Sequence, residues 1–162
     1  MVEIFNPQKG AVYFGWLAGF NGVTVIIFTP LITKLFEKTK NIRKVALGGL
    51  LYAAGFGLFS ISFKLPLFLL FTFLFTIGEI IISISSMPFI MNHTPHSHRG
   101  RMGGVLPLIY GTGFTLGPYL MGIILLKVTI KEGWILIGIL GVVSFLLMLL
   151  LEKFDYIFKK KK

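Results

Sequence analysis

Five apolar segments, each close to the length of a bilayer crossing, limit what this chain can become. They cover about residues 11–36, 45–63, 66–91, 102–126 and 134–151, and a basic tail follows over 152–162. A helix needs roughly 20 apolar residues to cross about 30 Å of hydrocarbon. A strand or loop exposed to lipid would leave its backbone N–H and C=O groups unpaired, so each segment is expected to be a helix. The composition agrees: 55% of the residues are hydrophobic, only 14% are charged and 17 are Phe, whereas a soluble domain carries about 25% charged residues. The expected fold is a single all-α integral membrane domain of five transmembrane helices, with the bilayer as its first partner. Short connections imply that sequential helices are antiparallel neighbours.

The net charge of +10 does not point to nucleic acid, because the cations lie between apolar runs rather than along one face. Lys34, Lys38, Lys40, Arg43 and Lys44 follow the first segment, Arg99 and Arg101 follow the third, and Lys153 and Lys159 to Lys162 follow the fifth. The alternate connections hold only Lys9, Lys64, Lys127 and Lys131. Cytoplasmic loops collect Lys and Arg, so the N-terminus is expected outside and the C-terminus inside, in a plasma membrane. Trp134 then falls at the outer interface. The opening "MVEIFNPQKG" has no basic region ahead of an apolar core and reads as no cleavable signal.

Polar residues inside the segments are the candidates for function. Glu79, in "FTIGEIIIS", is a carboxylate in mid-segment, where an unpaired charge costs about 2.5–3.5 kcal/mol on insertion scales. At 100° per residue, Thr72, Thr76, Glu79, Ser83 and Ser86 fall in a stripe about 80° wide. Such a stripe suits a water-filled path with Glu79 as proton or cation site. It equally suits hydroxyls bonded to their own backbone and a Glu79 that caps an interhelix contact. Asn21 is open in the same way. It could contact substrate or act as interhelical glue, and the Ala18/Gly22 pair beside it favours packing.

The fourth segment, "HRGRMGGVLPLIYGTGFTLGPYLMG", is rich in helix breakers. Gly100, Gly104, Pro107, Gly111, Pro118 and Gly122 fall within about 60° of one another, with Gly103 beside them. Gly113 and Gly117 form a GxxxG on the far side. This seam suits close packing or a bent helix that rocks against a neighbour. The segments numbered two and five are apolar nearly all round and read as peripheral, leaving one, three and four as inner helices. His93, His96 and His98 crowd one loop but have no Cys or acid beside them, so a solvated loop is expected rather than a metal site. No nucleophile–base pair, phosphate-cradling loop or paired carboxylate supports an enzyme, and no cofactor is implied.

The order of these motifs resembles the C-terminal half of the major facilitator superfamily. "FNGVTVIIFTPLITKLFEKTKNIRKVALGGLLYAAGFGLFS" is similar to the family's eighth helix, basic loop and ninth helix, and residues 75–122 are similar to its tenth and eleventh helices. Gly78-Glu79, the Pro95-x-x-x-Arg99-Gly100 loop and Gly117-Pro118-x-x-x-Gly122 match best. The basic loop keeps Arg43-Lys44, but Glu37-Lys38 stands where the family has Asp-Arg. The resemblance implies part of a secondary transporter working by alternating access, closest in pattern to proton-coupled multidrug exporters. A proton-coupled peptide transporter fragment is an alternative reading. So is a truncated or accessory membrane protein with no transport of its own. The resemblance also implies a small-molecule substrate, and either seven missing N-terminal helices or a partner chain to complete the cavity. A chain beginning after the family's outward-running seventh helix would start outside, as the charges suggest.

Overall fold

In a computed structural model, the structure describes residues 6–160. Five long helices account for nearly all of them: α1 (Pro7–Leu35), α2 (Asn41–Leu58), α3 (Leu65–Asn92), α4 (Arg99–Ile124) and α5 (Ile130–Lys160). Short 3₁₀ turns, Phe59–Ile61 and His96–His98, sit after α2 and before α4. Each helix starts where local chemistry allows, and this extends some beyond their apolar stretch. Asn6 caps α1, its side chain accepting from Lys9 N at 2.9 Å, and Pro7 occupies the first turn, where no N–H is needed. At the head of α5, Thr129 N donates to Glu132 Oε2 at 2.7 Å and Glu132 N donates to Thr129 Oγ1 at 3.3 Å, a reciprocal capping box. The basic tail is not a separate segment, since α5 stays helical through Lys160.

Four helices, α1, α2, α3 and α5, are long and apolar enough to cross a membrane. The fourth apolar segment, also expected to do so, is not among them. At 26 residues α4 is long enough, about 39 Å, but its glycines, prolines and threonines dilute its hydropathy.

Packing around α2 follows small residues rather than chain order. The expectation that sequential helices are neighbours holds only for α2 and α3. The extensive seams are α2 with α3, α2 with α5, and α1 with α3. In the first, a Cβ built on Gly78 would lie 2.6 Å from Gly48 O and 2.8 Å from Tyr52 N, so the two backbones touch. In the second, Gly138 and Gly57 stand backbone to backbone and Gly141 faces Ala53. Lipid gives no hydrophobic drive to helix association, and such close approach is how helices gain contact in its place. Small residues on two faces therefore make α2 the central helix, not a peripheral one. On the remaining side of α3, Ile32, Ile80 and Ile81 form the buried core, with Val25, Phe28, Leu47 and Leu51 packed on it.

The helix expected among the inner ones, α4, stands apart. Its one extensive contact is with the His96–His98 turn, and Leu106 is its sole buried residue. A Cβ on Gly100, Gly103, Gly104, Gly111, Gly113, Gly117 or Gly122 would meet nothing within 4 Å. Neither the glycine–proline face nor the GxxxG has a neighbour among the described residues.

Candidate functional site

The polar residues of α1 and α3 meet inside the bundle. Asn21 Nδ2 donates to Thr76 Oγ1 at 2.8 Å and to Glu79 Oε2 at 3.0 Å. The Thr76 hydroxyl donates in turn to Thr72 O at 2.7 Å. Asn21 thus uses both amide hydrogens on α3, and the chain of bonds ends on a helix carbonyl. Among the described residues no cation lies within ion-pairing distance of Glu79. The Asn21 amide is the donor that accompanies its carboxylate.

This cluster opens into a cavity of about 330 Å³. Asn21, Thr72 and Glu79 supply its polar edge, while Tyr52, Phe56, Phe59, Phe68, Phe75 and Trp134 supply an aromatic wall. Phe56 stacks on Phe75 at 4.6 Å between centroids, and Trp134 lies nearly parallel to Phe56 at 5.8 Å. Trp134 also meets Phe59 edge-on at 5.2 Å. The indole is therefore part of the cavity wall, whatever its depth in the membrane. Thr72 Oγ1 is buried and has no hydrogen-bond partner among the described residues.

The predicted stripe divides. Thr72, Thr76 and Glu79 come together with Asn21. Ser83 is exposed, and the Ser86 hydroxyl returns to Ile82 O at 2.7 Å; neither lines the cavity. Thr76 and Ser86 bond to their own backbone and Glu79 joins an interhelix contact, while Thr72 and Glu79 also line the cavity. The aromatic wall was not foreseen, although its signal is present. Phe68, Thr72, Phe75 and Glu79 follow i, i+4, i+7, i+11 spacing, and Tyr52, Phe56 and Phe59 follow i, i+4, i+7 along α2 and the 3₁₀ turn after it. Counting polar side chains alone hid the aromatic share of that face.

The basic residues take different places. Arg43 is exposed and its Nε donates to Glu152 Oε1 at 2.7 Å, tying α2 to α5. Its neighbour Lys44 is buried. Arg99 Nε reaches Thr94 O at 3.4 Å and steadies the turn into α4. His93 Nδ1 lies 2.8 Å from Phe89 O, and His98 Nδ1 lies 2.9 Å from Ser97 Oγ. His93 and His98 thus have separate local partners.

Apolar spans, small-residue seams and a hydrogen-bonded carboxylate beside a cavity describe a multi-pass helical membrane protein. The chain belongs to the major facilitator superfamily, whose family model matches residues 2–161. No curated protein and no solved structure matches it.

Proposed function

We propose that this chain forms part of a secondary active transporter that moves small amphipathic molecules by alternating access, coupled to protons and directed outward. The observation that carries the reading is the Asn21–Thr76–Glu79 cluster at the edge of the aromatic cavity. An acid inside an apolar span is costly, and such acids mark ion or substrate paths. Here it touches both a polar relay and a space that a small molecule can enter. Glu79 takes the role of proton carrier, Asn21 orients it, and the aromatic wall receives the apolar part of the substrate. The chain corresponds to helices eight to twelve of the family. Its N-terminus lies outside, its C-terminus is cytoplasmic, and its home is the plasma membrane.

The uncovered glycine face of α4 supports a further role for helices beyond these five, whether from a preceding portion or a partner chain. In transporters built from repeats the site lies between repeats near the midplane. Transport therefore needs those helices, and the described residues alone contribute one wall. The same uncovered α4 favours, as second reading, an accessory protein that binds other membrane helices without transporting.

The test is proton-driven transport in proteoliposomes containing the chain with its completing helices. Glu79→Gln keeps an acceptor for Asn21 but cannot carry the proton, so coupled transport is lost while folding is retained. Ser83→Ala, outside the cavity, transports normally. Coupled transport that survives Glu79→Gln would overturn the role given to Glu79. Full transport by the 162 residues alone would overturn the need for further helices.

A further inference from the structure

A second cavity, of about 710 Å³, lies at the opposite end of the bundle from the aromatic wall. It forms where the α1–α2 connection, the end of α3 and the end of α5 converge. Its rim carries Lys40, Arg43 and Lys153, and Glu152 is the one acid among its described lining residues. That acid is already engaged by Arg43 at 2.7 Å through Nε alone, so the guanidinium keeps further donors for another acceptor. Lys40 and Lys153 have no hydrogen-bond or ion-pair partner among the described residues. Positive charge is therefore in excess in a concave space. The lining also includes Ile42, Phe89 and Leu149, an apolar surface directly beside the cations.

Cations at a rim with hydrocarbon beside them match the head and upper chains of a phospholipid. The cavity's depth fits as well. It lies at the ends of three spans, Asn41–Ile61, Leu65–Asn92 and Ile130–Phe154, where a lipid headgroup sits. Leu149 is exposed, so the cavity continues onto a lipid-facing helix surface. Basic pockets between membrane helices on one side of the bilayer suit anionic headgroups.

We infer that the cavity between the α1–α2 connection, α3 and α5 binds an anionic phospholipid, with Lys40, Arg43 and Lys153 around the phosphodiester and Phe89 and Leu149 along the upper acyl chains. This site is separate from the Glu79 cavity, and its test does not depend on transport.

The chain is reconstituted in nanodiscs of phosphatidylcholine, with or without a small fraction of phosphatidylglycerol. Bound lipid is counted by native mass spectrometry, and affinity is read by titrating labelled phosphatidylglycerol. The wild type retains phosphatidylglycerol over phosphatidylcholine. Lys40→Gln with Lys153→Gln weakens that retention roughly tenfold or more. Lys64→Gln with Lys127→Gln, an equal charge loss at the other end, leaves it unchanged. Glycerol phosphate at millimolar concentration does not displace the lipid. Four results would overturn the inference. They are no preference in the wild type, wild-type retention in the Lys40/Lys153 variant, an equal fall in the Lys64/Lys127 variant, or displacement by glycerol phosphate, which would assign the site to a soluble phosphate. Should the Lys40/Lys153 variant misfold, Lys40→Arg with Lys153→Arg keeps the charge and must keep the lipid, and loss of binding there counts against it too.

Discussion

Replacing Gly78 by Ala adds one methyl at the tightest point between α2 and α3, and the structure fixes what that methyl meets. It would lie 2.6 Å from Gly48 O, 2.8 Å from Tyr52 N and 3.0 Å from Leu51 Cβ, while ordinary contact begins near 3.4 Å. Two of those three atoms are backbone and cannot rotate away, so the helices must part by about 0.8 Å. A radial gap of roughly that size forfeits a quarter to a half of each dispersion contact it opens. Overpacking of this kind costs about 1–3 kcal/mol. Helix propensity acts the other way, by about 1 kcal/mol for Gly→Ala, so a net loss of up to about 2 kcal/mol is expected. The assay is reversible unfolding in mixed micelles, followed by circular dichroism. Gly111→Ala is the internal control, since its methyl enters open space and keeps only the propensity gain. Equal stabilities of the two variants would refute the argument, because it rests on the difference between a blocked and an open glycine.

Asn21→Leu removes both bonds from α1 to α3 and should lower stability by about 1–2 kcal/mol, at the upper end of interhelical hydrogen bonds in membranes; the same micelle unfolding reads it, and no change would make Asn21 dispensable to the fold. Thr129→Ala removes the capping box of α5 and should cost about 1 kcal/mol, seen as faster amide exchange confined to the first turn of that helix. Arg43→Ala breaks an ion pair whose Arg side chain is 61% exposed, so unfolding should shift by less than about 1 kcal/mol; a larger loss would mean the pair is shielded from water.

Some of the arrangement was legible because it repeats at the helical period. Thr72, Thr76 and Glu79 share one face by arithmetic alone, and so do Phe68 and Phe75 once aromatic residues are counted with polar ones. What periodicity cannot supply is the element opposite. Asn21 stood between two roles because its neighbour was unknown, and its bonds to both Thr76 and Glu79 place it between helices and beside a cavity at once. Helix adjacency was misread for the same reason. Short loops permit α1 to pack on α3 as readily as on α2; a Cβ on Gly15, Gly19 or Gly22 of α1 would meet nothing within 4 Å, and its contact with α3 is made by Asn21, Phe28 and Ile32.

Those small residues are themselves an unequal guide. Gly48, Gly55 and Gly78 lie in direct contact between α2 and α3, and Gly138 and Gly141 lie against α2. The Gly113/Gly117 pair has the same look in the sequence and meets nothing. A small-residue pattern therefore records that a backbone can be approached, not which backbone approaches it. The helix with the densest pattern, α4, has the least contact, so its glycines answer to no packing within these five helices. Static packing inside the described bundle is thereby removed as their explanation. On the proposed function, a second membrane helix, fixed or rocking, would lie against the Gly100–Gly122 face. It gives α4 a further test: Gly111→Leu should leave the unfolding of this chain unchanged and weaken its association with the completing helices, and the reverse pattern would return those glycines to the interior of the present bundle.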